Sequence, residues 1–304
     1  MALLDLTTTF GALLIGTFVS AFLYGATCLQ TWHYFQSYSD PPLIKATVII
    51  LLVLETLHSA FCIHAIYYFL VTSYDNPLAL LKCTWTAIGS VLVSALIIFL
   101  VHLFYAKRVY TVSRKNKIIT VAIALLTLAG FGMGIVKAFR LKYFYLFGAI
   151  VALQEASISV SVATDILIAS SLSYHLHHSR TGLRSTDTLI NKLTIFAINN
   201  GVLTSVFGIV TLIALRVKSD NLVYFAVFQV IGNLYTNSLL ATLNARRSMT
   251  SDVISMPLEF STTSTAMQNG SSGERPAVSN NYFNSRSGKS QKLEIIIDRP
   301  SASV

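Results

Sequence analysis

Along this chain, long apolar blocks are separated by short polar or turn-forming breaks. Seven blocks run Phe10 to Thr31, Ile44 to Val71, Trp85 to Tyr105, Ile118 to Val136, Tyr145 to Leu172, Leu189 to Leu215 and Leu222 to Leu243. A bilayer core about 30 Å thick needs roughly 20 apolar residues in a helix, and the blocks come to that length. Asp40, Pro41 and Pro42 separate the first two, and Asp75, Asn76 and Pro77 end the second. Ser157 to Val162 alternates in the manner of a strand, but an open strand in lipid would leave backbone groups unpaired, so a helix is expected there. The fourth block is short and carries Gly130, Gly132 and Gly134, a spacing that lets another helix approach closely. The pattern predicts an all-α fold: a seven-transmembrane-helix bundle over residues 1–247.

From Ser248 the pattern stops. Of the 57 residues 248–304, 17 are Ser or Thr, and apolar residues are too sparse for a core. A disordered, phosphorylatable tail is expected. Within it, Lys292 to Asp298 could add as a strand to a partner, against the blander reading of a chance apolar cluster. Asn269 to Ser271 is an N-glycosylation pattern that a cytoplasmic tail would leave unused.

Composition agrees with lipid as the solvent. Of 304 residues, 54% are hydrophobic and 12% charged, about half the charge a soluble domain carries, and mean hydropathy is +0.63. The net charge of +9 invites a nucleic-acid reading, but Lys and Arg sit in clusters between apolar runs, not on a basic face with interleaved aromatics. Counted by loop, 11 fall on one side (Lys45, Lys107, Arg108, Arg114, Lys115, Lys117, Arg180, Arg184, Lys192, Arg246, Arg247) and 6 on the other (Lys82, Lys137, Arg140, Lys142, Arg216, Lys218). The positive-inside rule then puts the N-terminus outside and the tail in the cytoplasm. Cys28, Cys62 and Cys83 imply no disulfide framework, and Met1 to Thr9 lacks the basic region and cleavage site of a removable signal.

Ionisable groups inside hydrocarbon are costly, which makes each a site candidate. Depth counted at about 1.5 Å per residue puts Glu55, His58, Glu155, Asn199, Asn200 and Asn233 near mid-bilayer, a candidate ligand-binding or polar core. A second layer nearer the cytoplasm holds His102, Asp165, Asn237 and Asn244, a candidate switch in which Arg108, Lys192 or Asn244 would satisfy Asp165. Glu55 and His58 share a helix face and are expected to bond to each other as a cavity-lining pair or a proton relay, against the equally weighted reading that they only lock the second helix to its neighbours. The same spacing is half of a di-metal carboxylate site, but the remaining ligands are missing, so no metal and no cofactor is expected. His175, His177 and His178 fall where the fifth helix leaves the membrane, as a solvated linker.

Several mechanisms are excluded. The seventh block has no lysine for a retinal Schiff base. Ala106 to Tyr110 lacks the acid-Arg-Tyr triplet of the largest receptor class, and Asn233 to Asn237 is not its N-P-x-x-Y. No G-x-S-x-G, P-loop or H-E-x-x-H pattern occurs, and no enzyme is expected.

Thr164, Asp165, Ile168 and Ala169, then Arg180 to Gly182, Thr186 and Asp187, Asn199 to Gly201, Leu203 to Ser205, and the run Leu234 to Arg246 ending N-S-L-L-A-T-L-N-A-R together resemble a large family of uncharacterised fungal seven-helix membrane proteins. Glu55 and His58, with His64 and Tyr67, are similar to the family's acid-x-x-His pattern. Asp is commoner there at position 55, and Gln at position 102. The resemblance covers roughly residues 10 to 247 and implies a fold and a membrane location, with a domain of unknown function. The expectation is a receptor-like small-molecule sensor in the plasma membrane, its cavity formed at Glu55, His58 and Asn233, signalling to a cytoplasmic partner through basic loops and tail. The alternatives are a proton-coupled transporter or channel, and a structural membrane protein without ligand.

Overall fold

The computed structural model describes residues 10–73, 84–113, 115–141, 147–178, 184–217 and 222–254; for 141, 147–150, 184–194, 196, 197, 200 and 247–254 the backbone alone is described. Helix α1 is Ala12–Ser37, α2 Pro42–Tyr67, α3 Trp85–Val112, α4 Lys117–Leu141, α5 Phe147–His178, α6 Arg184–Val217 and α7 Val223–Ile254. Each predicted block is helical over its described residues, and Ser157 to Val162 lies inside α5. Pro42 opens α2 at its first turn, where its missing N–H costs no bond. The Thr84 hydroxyl caps α3 by accepting from the Ala87 amide at 3.2 Å. Between Tyr68 and Thr72 the second helix widens into a π-turn that the pattern does not foretell. Asp75 to Pro77, Cys83, Arg180 to Gly182, Lys292 to Asp298 and the Asn269 pattern lie outside the described residues, while α7 carries seven residues beyond Arg247.

Five helices, α1 to α5, are long and apolar enough to cross a membrane. The described apolar part of α6 is the shorter Gly201–Val217, and α7 does not qualify on composition. The reason is visible in its buried face. Gln229, Asn233, Tyr235, Thr236, Ser238 and Thr242 all lie inside the bundle, so α7 carries its polar residues inward and is not surrounded by lipid on all sides.

Among the described residues, many polar side chains are buried beside the apolar core while large apolar ones face outward. Phe22 on α1 and Ile118 on α4 are each 81% exposed, while Thr17, Ser20, Thr27, Glu55, His58, Ser90 and His102 are buried. Such a surface would aggregate in water; in hydrocarbon it is the favoured one.

Successive helices pack on one another, α7 closes the ring against α1, and α3 also reaches α5 and α7. Among the described residues, four side-chain bonds tie α1 to α7: Gln229 to Thr17, Ser20 to Asn233, Asn237 to Leu23 O and Asn244 to Gln30 O, with sequence separations of 212, 213, 214 and 214. A separation constant to within two residues means the two helices run parallel and in register. At the start of this pair a Cβ on Gly16 would stand 2.8 Å from the Ala226 carbonyl oxygen, so the two backbones touch there.

Candidate functional site

Helix α7 passes between two buried carboxylates. On the α2 side, Asn233 donates to Glu55 Oε2 at 2.7 Å and Thr236 donates to Glu55 Oε1 at 2.6 Å. Ser20 of α1 donates to the side-chain Oδ1 of Asn233 at 2.7 Å. Glu55 and Asn233 are both 0% exposed, and both carboxylate oxygens are engaged. On the other side, Asp165 of α5 joins three helices. Tyr235 of α7 and Thr204 of α6 each donate to its Oδ2 at 2.7 Å, and His102 Nε2 of α3 lies 3.2 Å from Oδ1. The His102 and Tyr235 rings meet edge-on at 5.3 Å.

These contacts correct the expected two layers. Asn233, Tyr235 and Thr236 fall within one turn of α7, about 4.5 Å of rise, so both carboxylates sit at a single level of that helix. The partners expected for Asp165 are also different. Asn244 donates instead to Gln30 O at 2.9 Å, and Lys192 has no described side chain. Arg108 lines a groove of about 530 Å³ between α2 and α3, and no bond to Asp165 forms.

Glu55 and His58 do not bond to each other. His58 faces one turn onward along its own helix, with Nε2 3.6 Å from the Cys62 sulfur, and Nδ1 has no partner. Glu155, expected in the polar core, pairs with Arg216 at 2.7 Å near the end of α6, where the guanidinium is 77% exposed. Asn199 is exposed, and the Asn200 side chain lies outside the described residues. Asn237 serves packing: its amide donates to Leu23 O and Asn233 O at 3.0 and 2.9 Å. Among the described residues no three His, Cys, Asp or Glu converge as metal ligands.

At the far end of α7, Arg246 grips Asp40 in the α1–α2 turn with both terminal nitrogens, one at 3.1 Å from Oδ1. Tyr34 donates to the same carboxylate at 2.8 Å. The guanidinium's hydrogen bonds hold the Asp40 carboxyl below the usual range, and Asp40 in turn raises Arg246. The Arg246 head also lies over the Tyr38 ring, 4.9 Å from its centroid.

Two site elements escaped the sequence reading. One is the α1–α7 ladder, in which Gln229 also donates to Thr17 at 3.1 Å. Its signal was present as polar residues at 229, 233 and 237, a four-residue repeat down one face. The other is a cavity with about 40 Å³ of water-accessible space, enough for a small ligand or a few waters, walled by α3, α4, α5, α6 and α7. Lys137 opens into it. Helix α4 runs on past Val136 and carries this lysine inside the bundle, 4% exposed, where the charge count had placed it in a loop. Its Nζ sits 4.0 Å over the Phe228 ring and has no carboxylate partner among the described residues. A cation–π contact contributes about 0.5–2 kcal/mol, whereas stripping water from an ammonium ion costs several.

Seven helices with an apolar exterior and a hydrogen-bonded polar interior, five of them able to cross a bilayer, make this a multi-pass, all-helical membrane protein. A family model described as "Family of unknown function (DUF6534)" matches residues 161–248. The matched stretch runs from α5 through α7 and holds Asp165, Thr204, Asn233, Tyr235, Thr236 and Arg246; Glu55, His102 and Lys137 lie outside it. No curated protein and no solved structure matches the chain.

Proposed function

We propose that this protein is a membrane-embedded small-molecule sensor without catalytic activity, whose ligand seats in the α3–α7 cavity rather than at Glu55. One observation carries the reading: His102, Thr204 and Tyr235, the three residues that hold Asp165, also line that cavity. A ligand there touches the donors of a junction that ties α3, α6 and α7 to α5, and so biases how those helices pack. The output surface on this reading is the basic inner face, with the N-terminus outside, the plasma membrane as location and a cytoplasmic partner for loops and tail.

Transport is the weaker reading. It would need a wet path joining the two carboxylates, and the cavity borders neither Glu55 nor Asn233. The fully bonded Glu55 cluster has the character of helix glue.

The test requires no known ligand. Spin labels at Lys107 on α3 and Tyr174 on α5, both exposed positions, report the distance between these helices in the full chain reconstituted in nanodiscs. Filling the cavity with Gly130→Met, or cutting the junction with Asp165→Leu, is expected to shift that distance by about 1–2 Å, the scale of helix shifts in switching proteins. An unchanged distance in both folded variants would overturn the sensor reading.

A further inference from the structure

Lys137 is the one cation in the cavity wall without a committed partner. The wall contains no Asp or Glu among the described residues, and the donors of His102, Thr204 and Tyr235 are directed to Asp165, which stands behind them and is not itself a lining residue. The rest of the surface is largely apolar, with Phe99 and Phe131 stacked at 4.6 Å and Phe228 beneath the ammonium group. Ser157 and Ser161 add hydroxyls on the α5 side. A buried ammonium ion facing empty space, with no counter-charge, is an unfavourable arrangement to hold inside a membrane bundle. Among the described residues Lys137 makes no ion pair and no side-chain hydrogen bond, so polar packing does not account for its charge. The arrangement becomes favourable once an anion enters.

Resting on the sensor reading for the location of the site, we propose that the cavity takes a small organic monoanion: a carboxylate bound by Lys137, with an apolar or aromatic body lying against Phe99, Phe131 and Phe228. The carboxylate supplies the missing counter-charge and accepts charge-assisted bonds from Nζ. The apolar body displaces water from the aromatic wall. Gly130 adds room on the α4 side of the wall: a Cβ built there would meet Val160 and Ser161 at ordinary contact distances of 3.7 and 3.9 Å.

The probes are acetate, isobutyrate and benzoate, each beside its own amide at equal concentration. Binding is read as the rise in melting temperature of the full chain in nanodiscs and confirmed by calorimetry. At least one carboxylate should bind about tenfold or more tightly than its amide, since the amide cannot replace a buried charge partner. Lys137→Met should remove that preference while melting no lower than the wild type, which shows that the fold is intact; Lys137→Arg should retain part of it. Carboxylates and amides that bind equally would overturn the anion assignment and leave a neutral-ligand cavity. A carboxylate preference that survives Lys137→Met would place the anion elsewhere and overturn it too. The spin-label distances need no ligand, so the sensor reading fails or stands by its own measurement.

Discussion

Asp165 offers the sharpest check on the geometry, because two substitutions of the same residue should behave very differently. Replacing it with Asn keeps one carbonyl oxygen, which can still accept from both Tyr235 and Thr204, each at 2.7 Å in the wild type. The new amide group can donate to His102 Nε2, provided the imidazole carries its proton on Nδ1. Only charge assistance is lost, at about 1 kcal/mol. Replacing it with Leu leaves three buried donors on three helices with nothing to bond. At about 0.6–1.7 kcal/mol for each side-chain hydrogen bond inside a membrane protein, the loss comes to about 2–5 kcal/mol. For a chain of this size about 1 kcal/mol corresponds to 2–4 °C. The Asn variant should therefore melt about 2–4 °C below wild type in nanodiscs, and the Leu variant about 4–20 °C below. Tyr235→Phe should cost about one bond in the wild-type background and nearly nothing on top of Asp165→Leu. Equal losses for Asn and Leu, or full additivity with Tyr235→Phe, would refute the junction.

Other contacts give independent checks. Gly16→Leu should separate α1 from α7, because its Cβ would meet the Ala226 backbone at 2.8 Å and backbone cannot move aside cheaply; loss of folded protein in size-exclusion chromatography is expected. Within the glycine-rich stretch of α4, Gly134→Leu should destabilise against Ala95, where a Cβ already falls at 2.8 Å, while Gly132→Leu, with nothing within 4 Å, should melt within about 2 °C of wild type. The Asp40–Arg246 contact sets a pH dependence. The folded carboxyl lies below the ordinary aspartate value of 3.8, so the contribution is fully present above that value and fades as pH falls through the lower, folded one. Because the guanidinium is partly exposed, Asp40→Asn should cost only about 1 kcal/mol at pH 7, and melts of variant and wild type should converge in strong acid.

Helices were legible in the sequence because each apolar block is long and ends at prolines, acids or basic clusters. The polar residues were legible as costly objects in lipid, and Glu55, Asn233, His102 and Asp165 are each buried in a hydrogen-bonded cluster on or against α7. What the pattern concealed was which helix each one faces. Counting residues from the block ends put Glu55 and Asp165 in separate layers, since it treats every helix as starting in the same plane. Only the packing of α7 against both α2 and α5's neighbours reveals a common level. Lys137 misled for a related reason: a lysine next to Arg140 and Lys142 looks like the end of a span until the helix is seen to continue to Leu141. Tyr235 and Thr204 carry no charge, so nothing in the sequence alone distinguished them from ordinary core residues.

The register of α1 against α7 also sets an order of events during synthesis. Glu55 enters the bilayer with the second helix, but its donor Asn233 lies 178 residues further along. At ribosomal speeds of roughly 5–20 residues per second, the carboxylate spends about 10–35 s in a half-made bundle before its partner emerges. During that interval Ser20, and the Leu23 and Gln30 carbonyls, lack their α7 partners as well. A chain interrupted before the last helix is therefore left with an open, acid-lined seam along α1 and α2, the kind of exposed polar surface by which a cell's membrane quality control distinguishes an unfinished product from a finished one.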